Sequence, residues 1–354
     1  RDLYSRELGP DHADTLATTD SLATAYLGAG KWNEAARLFA RLRDIRIGKL
    51  GPDHPATLTS MNNLARCYFA LGRHAEALGL REDIVRLRKD KLGPDHPDTL
   101  FSMNNLAKSY AAVNQFAKAL QLHQETLALR EAKLGDHPDT LQSMNNVANC
   151  YHVLGRYREA LQLHEQTLEG RRRTLGPDLP ETLQSMNNVA VEHAALGHYA
   201  EAIRLHEKTL ALRSAKLRPN HPDTLFSMNA LAWLLATAPN QELRDPGRAL
   251  QLAKQATALA PAKGDYWNTR GVACYRVGDW KATVEALTKS MHLRKGGDAT
   301  DWFFLAMAHW RLGDRKEARR WYARAVQWVE RSHADEEIHR FRAEAAELLQ
   351  IERK

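Results

Sequence analysis

Apolar residues recur along the chain at the spacing of an amphipathic helix, and the pattern returns in blocks of about 42 residues. The block that begins at residue 55 has its apolar positions at Leu58, Met61, Leu64, Ala65 and Tyr68. A turn at Gly72 follows, and a second, longer helical pattern runs to about Leu92. Each block therefore predicts two helices joined by a tight turn.

The linker between blocks supplies start and stop signals for these helices. It reads Leu50-Gly51-Pro52-Asp53-His54-Pro55 and returns, with small changes, from Leu92, Leu134, Leu175 and Leu217, with an earlier copy from Leu8. A proline suits the first turn of a helix, where its missing N–H costs nothing. Glycines at the turn and in the linker suit helix C-termini.

Small residues recur where the two helices of a block must approach each other. They are Ala23, Ala65, Ala107, Ala148, Ala190 and Ala232 on first helices, and Ala35, Ala77, Ala119, Ala160 and Ala202 on second helices. A methyl group at a crossing lets two helix axes come within about 8–10 Å. Since one such pair cannot bury its own apolar face, the blocks are expected to stack on each other.

The combined pattern resembles the tetratricopeptide repeat, in the long form found in kinesin light chains. The resemblance rests on the Met-Asn-Asn-Leu/Val-Ala core, the Leu-Gly-Pro-Asp-His-Pro linker and the Glu-Ala pairs that open second helices, and it covers roughly residues 1 to 235. It implies an all-α fold, a right-handed superhelical solenoid of about eight helix-turn-helix repeats with a C-terminal capping helix. It also implies that the first helices line a concave groove.

The period of the pattern changes after Leu225, which suggests the following organisation. Residues 1–12 are the end of a preceding repeat, 13–221 are five long repeats, 222–261 form a transitional repeat with a long inter-helix loop, 262–332 form two shorter repeats, and 333–354 form the capping helix. Because the chain opens inside a repeat and without an initiator Met, we expect it to be a fragment of a longer protein.

Composition narrows the class of protein without identifying a chemistry. The 354 residues carry a net charge of +7, and the charges are interspersed, so nucleic-acid binding is not expected. The three cysteines lie far apart and suit packing in a reducing compartment, which favours a cytoplasmic location. No apolar run is long enough to span a membrane.

Sequence motifs for catalysis and for metal binding are weak. Gly28-Ala29-Gly30-Lys31 lacks the remaining residues of a phosphate-binding loop and falls on an inter-helix turn. Most of the sixteen histidines follow the repeat, so equivalent ones lie on different blocks, and we interpret them as capping and packing residues. The sequence therefore predicts no enzyme activity, no metal and no cofactor.

The doubled asparagines on the first helices are the strongest functional signal. Two amides in mid-helix are unusual, because Asn competes for backbone hydrogen bonds. We expect the first Asn of each pair to face the groove, and the second either to bind ligand or to bridge adjacent repeats. The predicted groove residues are Asn62, Arg66, Phe101, Asn104, Lys108, Gln142, Asn145, Asn149, Gln184, Asn187, Phe226, Asn229 and Trp233.

These residues suggest a non-catalytic scaffold that binds an extended peptide in its groove. The polar and basic N-terminal half predicts acidic residues in the partner, and the more apolar later half predicts an apolar anchor. The alternative is a regulatory or sensor region of a larger bacterial signalling enzyme. Long repeats followed by short Trp-rich ones resemble the C-terminal region of some bacterial Ser/Thr protein kinases.

Overall fold

The computed structural model describes residues 9, 11–332 and 335–351, and all regular structure in these residues is helical. The chain divides into two compact units, with the boundary between Thr174 and Leu175. The all-α prediction is confirmed. The prediction of a preceding repeat end over residues 1–12 lies mostly outside the described residues, as do both ends of the predicted capping segment.

The first unit contains four helix pairs. Its helices are α1 Ala13–Gly28, α2 Trp32–Leu50, α3 Pro55–Ala70, α4 His74–Leu92, α5 Pro97–Ala112, α6 Phe116–Leu134, α7 Pro138–Val153 and α8 Tyr157–Thr174. The odd-numbered helices are the first helices of the sequence repeat, and α3, α5 and α7 each pack against the second helices on either side.

The second unit contains four further pairs and one final helix. Its helices are α9 Pro180–Ala195, α10 Tyr199–Lys216, α11 Pro222–Thr237, α12 Pro246–Leu259, α13 Gly264–Arg276, α14 Trp280–Arg294, α15 Ala299–Arg311, α16 Arg315–Val329 and α17 Glu336–Leu348. A short 3-10 helix, Gln241–Leu243, lies in the long loop between α11 and α12. None of the helices in the described residues combines the length and the hydropathy that a membrane crossing requires.

The linker histidines cap the first helices, as the sequence predicted. In His54, Nδ1 accepts a hydrogen bond from the backbone N–H of Ala56 at 3.2 Å, and His12, His96, His137 and His221 make the same bond at 3.2–3.3 Å. The turn between the helices of a pair uses left-handed backbone, with φ of +74° at Gly72 and +60° at Asn114.

The repeated alanines at the helix crossings are fully buried in both units. All eleven of the predicted crossing alanines have 0 % exposure. Alanine has the smallest side chain apart from glycine, and it lacks the extra backbone freedom of glycine. These positions therefore set how closely the paired helices approach.

In both units a buried arginine links a second helix to the first helix of the following pair. In the first unit, Arg130 on α6 donates through Nη1 to Ser143 Oγ and to the Asp139 carbonyl on α7, both at 2.8 Å. In the second unit, Arg213 on α10 makes the same two bonds to Ser227 and Asp223. Burial lowers the pKa of both arginines, and the neighbouring aspartate partly offsets that effect. These bonds hold neighbouring repeats in register.

Candidate functional site on the first-helix faces

One side of each first helix is left open by the packing, and we call this side the first-helix face. On α3 it carries Thr59 and Arg66, which are exposed, and Asn62, which is half-buried between them. The opposite side of the helix, including Leu58 and Leu64, is buried. Residues four, seven and eleven positions after the opening proline therefore share the face in every long repeat, because these spacings complete whole helical turns.

A chain of amides crosses this face in the third and fourth repeats. Asn146 Nδ2 donates to Asn104 Oδ1 at 2.6 Å, and Gln142 Nε2 donates to Asn146 Oδ1 at 3.1 Å. The Nη2 of Arg171 donates to Gln142 Oε1 at 3.0 Å. Here the second Asn of a pair bridges adjacent repeats, and the Oδ1 of the preceding first Asn is already engaged.

The second and third repeats contain a different part of the face. Asn62 makes no side-chain hydrogen bond to any described residue, and Arg66 and Lys108 have no carboxylate within ion-pair distance among the described residues. Phe101 lies on the same face of α5, and half of its surface (50 %) is exposed. Within the described residues, an amide without a side-chain hydrogen bond, two cations without ion pairs and a half-exposed aromatic ring therefore lie on the first helices of two successive repeats.

Positive charge is concentrated beneath Lys108. Partial burial lowers the pKa of Lys108, and the nearby Arg81 lowers it further. Arg81 is 9 % exposed and donates to the Asn105 carbonyl at 2.8 Å and to Ser109 Oγ at 2.7 Å, with no acidic partner among the described residues. A carboxylate placed at Lys108 would meet cations that the protein itself leaves unneutralised.

The remaining predicted residues of the first unit differ in accessibility. Gln142 and Asn149 are exposed on α7, whereas Asn145 is only 8 % exposed. Gln142 already participates in the amide chain, so Asn149 is the more available of the two exposed side chains.

In the second unit the amide chain begins in the same way and then stops. Gln184 Nε2 donates to Asn188 Oδ1 at 2.9 Å, and Arg213 Nη2 donates to Gln184 Oε1 at 3.1 Å. The next repeat has Ala230 where the second Asn would be, so no amide is present to donate to Asn187. Asn187 is 1 % exposed, and its Oδ1 has no hydrogen-bond partner, nor has the Oδ1 of Asn229.

Phe226 forms part of an open cavity of about 500 Å³ in the second unit. Its lining residues include Gln184 from α9, Leu259 from α12, Tyr266 from α13 and also Lys263. Phe226 is 47 % exposed and Leu259 is 43 % exposed, so this cavity presents apolar surface to solvent.

Trp233 lies on the face of α11, where it is covered by the final helix α17. Its indole Nε1 donates to Glu337 Oε2 at 3.2 Å, and its ring meets the ring of Phe341 edge to face at 6.2 Å between centroids. Trp233 is therefore already engaged by a side chain of the same unit.

The repeated arginines of the second helices are not among the groove residues that the sequence predicted. Arg46, Arg88, Arg130, Arg171 and Arg213 occupy equivalent places on second helices, a regularity visible in the sequence itself. No group of three or more potential metal ligands lies together in the described residues.

Comparison with family models identifies the repeat directly. A tetratricopeptide repeat model matches residues 29–90, 67–132 and 139–215, and a second tetratricopeptide repeat model matches residues 302–324. No curated protein matches the chain.

Several solved structures are similar to this chain. One is a crystal structure from Podosopora anserina, described as putative kinesin light chain nearly identical TPR-like repeats. It is 32% identical to this chain with a TM-score of 0.53, and the match covers 58% of this chain and 99% of that one. The apo quorum sensor NprR from B. thuringiensis has 14% identity and a TM-score of 0.69, over 89% of this chain and 87% of NprR. The apo form of RapI has 12% identity and a TM-score of 0.59, over 79% and 97%. At these lower identities the likeness concerns the fold alone.

Proposed function

Because this chain belongs to the tetratricopeptide repeat family, we propose that it is a non-catalytic scaffold that binds an extended, acidic segment of a partner protein. Its binding site is the first-helix face of the second and third repeats. The observation that supports this most strongly is the pair of cations Arg66 and Lys108, which have no ion-pair partner among the described residues and lie on the first helices of two successive repeats.

The groups around these cations fit a peptide. The amide of Asn62 offers both a donor and an acceptor to a peptide backbone, independently of its side chains. The exposed ring of Phe101 offers a surface for an apolar side chain. Acidic side chains of the ligand would then neutralise Lys108 and Arg66, and the surrounding positive charge would speed their encounter.

The affinity should depend strongly on these charges. We expect Lys108→Gln and Arg66→Gln each to weaken binding of an acidic peptide, selected by display on the full chain, by about tenfold. The matched control is Lys118→Gln, since Lys118 is also an exposed lysine of the third repeat. It lies on the second helix α6, away from this face, with its Nζ 5.4 Å from the centroid of the Tyr110 ring.

Fluorescence anisotropy of the labelled peptide at two salt concentrations measures these effects. Binding should weaken with salt in the wild type and less so in Lys108→Gln, because fewer charge contacts remain. Equal affinities of the Lys108 and Lys118 variants would refute the proposal. Asn104→Ala is a poor probe of ligand contact, because Asn104 accepts from Asn146 and its loss would disturb the repeat itself.

A further inference from the structure

The final helix α17 lies on the first-helix face of the second unit. It packs mainly against α15, the first helix of the last pair, and makes fewer contacts with the second helix α16. It also reaches Trp233 on α11 and Arg276 at the end of α13. It thus touches first helices from three successive pairs of this unit.

The apolar side of α17 fills this face closely. Phe341 is 2 % exposed and Ala345 is fully buried. The ring of Phe341 packs edge to face against Phe304 of α15, at 5.0 Å between centroids, in addition to its contact with Trp233. An aromatic side chain on a helix is therefore what this surface accepts.

Two acidic residues of α17 make the polar contacts. Glu344 receives a bidentate pair from Arg276, whose Nη2 lies 2.8 Å from Glu344 Oε2, and the Arg276 side chain is only 9% exposed. Glu337 accepts from Trp233. Glu337, Phe341 and Glu344 are spaced by four and three residues, so the three side chains project from one side of the helix.

The surroundings of this contact are basic and incompletely filled. A cavity of about 340 Å³ lies between α17 and the loop that follows α11, and Arg244, Arg276 and Arg340 are among its lining residues. Removing two charges from water has a desolvation cost that offsets much of the attraction between them. The Arg276–Glu344 pair therefore specifies the position of the helix more than it strengthens its attachment.

A helix as short as α17, with 13 residues, is marginal in water on its own. It is held by the face on which it lies and by the short connection from α16, which keeps its local concentration high. A separate helix with the same side-chain pattern would make the same contacts with this face, but it would lack the covalent connection to α16.

We propose that the first-helix face of the second unit is a second binding site, for an amphipathic helix of a partner protein, and that α17 is its built-in competitor. The partner helix carries an aromatic residue flanked by acidic residues four positions before it and three positions after it. The site is separate from the one proposed on the first unit, and ligand binding requires α17 to leave.

The test uses a labelled peptide of residues 335–351 and the full chain with Glu344→Arg. This change repels the chain's own α17 from Arg276 and leaves the face intact. We expect the variant to bind the wild-type peptide at least about tenfold more tightly than the wild-type chain does. Glu330→Arg, the same charge change beyond the end of α16, should behave as the wild type, and Lys108→Gln should have no effect.

A charge swap makes the test independent of the stability of one variant. The Arg276→Glu chain should reject the wild-type peptide and bind a peptide with Glu344→Arg, and the chain with both changes should regain the circular dichroism and melting temperature of the wild type. The proposal is overturned if the Glu344→Arg chain binds the wild-type peptide no more tightly than the wild-type chain. It is equally overturned if the doubly changed chain folds normally and the singly changed chains do not discriminate between the two peptides.

Discussion

The two units present the same kind of first-helix face in opposite conditions. In the first unit the face of the second and third repeats carries Arg66 and Lys108, which have no acidic partner in the described part of the chain, and Phe101, which is half exposed. In the second unit the face around Trp233 is covered by α17, which supplies its own acidic and aromatic residues. Similar repeats thus yield an open surface in one place and an occupied one in another, and the difference lies in one additional helix.

The largest expected effect is on the occupied face. Phe341→Ala removes a ring that is 2 % exposed and packs on Phe304 and Trp233, so it should destabilise the second unit by about 3–5 kcal/mol. The same change at Phe101, which is 50 % exposed in the first unit, should alter stability by about 0.5 kcal/mol or less.

Urea unfolding followed by tryptophan fluorescence measures this contrast. The tryptophans of the second unit are residues 233, 267, 280, 302, 310, 321 and 328, whereas the first unit has only Trp32. Similar losses for both phenylalanine variants would contradict the contrast between an occupied face in the second unit and an open one in the first.

The second largest expected effect is a difference between the two units in their stability toward acid. Burial lowers the pKa of His123 and His164 in the first unit, and of His206 in the second, to about 4 in each case. In the unfolded chain these histidines take up a proton below about pH 6.5, whereas in the folded chain they do so only near pH 4. The free energy of unfolding therefore falls progressively as the pH falls from about 6.5 to 4, by about 3 kcal/mol per histidine at full effect.

Two carboxyls of the second unit act in the opposite direction. Burial raises the pKa of Asp301 to about 6 and also raises that of Glu337. These groups hold protons more tightly in the folded state, so they add stability as the pH falls from about 6 toward 4. We therefore expect the first unit to unfold at the higher pH, as hydrogen exchange with mass spectrometry at successive pH values would show.

The chain supplies its own control for this prediction. Phe39 is fully buried in the first repeat at the place that His123 occupies in the third. His123→Phe should therefore fold and should reduce the acid sensitivity of the first unit. His137→Asn, which replaces an exposed capping histidine with another good capping residue, should leave that sensitivity unchanged. The reverse ranking of the two variants would show that burial of these imidazoles is not the cause.

The smallest predicted effect concerns the point where the amide chain stops. Ala230→Asn should place a donor near the unpartnered Oδ1 of Asn187, as Asn146 does for Asn104 at 2.6 Å. We expect the second unit to gain about 1 kcal/mol, measured as a higher melting temperature. Ala230→Asp has nearly the same shape but no donor when ionised, so a gain of equal size in both variants would argue against the hydrogen bond.

The regular part of this fold was predictable because its signals are local. Pro55 and His54 mark the start of α3, Gly72 marks its turn, and Ala65 marks the crossing, all within one repeat of sequence. The candidate site was only partly predictable for the same reason. The spacing of Arg66 and Lys108 places them on one face, but whether an acidic side chain reaches them depends on residues far away in the sequence, and none of those that the structure describes does so.

The paired asparagines show which part of the site could not be predicted from the sequence. Both asparagines of a pair look alike in the sequence, yet Asn104 accepts a hydrogen bond from Asn146 of the next repeat, while Asn62 has no side-chain hydrogen bond to any residue that the structure describes. Gln142 beside Asn146 corresponds to Phe101 in the preceding repeat, so an orienting amide is present in one place and absent in the other. The environment of each amide was decided by its neighbours in space.

The sequence by itself determined the repeat, the helix boundaries, the crossing alanines and the membership of each residue in a face, since these follow from helical periodicity and local capping. Only the tertiary structure decided which parts of those faces remain open. The amphipathic pattern of residues 336–348 predicts a helix, but it carries no information about which surface that helix will cover. Its position depends on the fit of Phe341 against Trp233 and Phe304 and on the Arg276–Glu344 pair, contacts between residues that are distant in the chain.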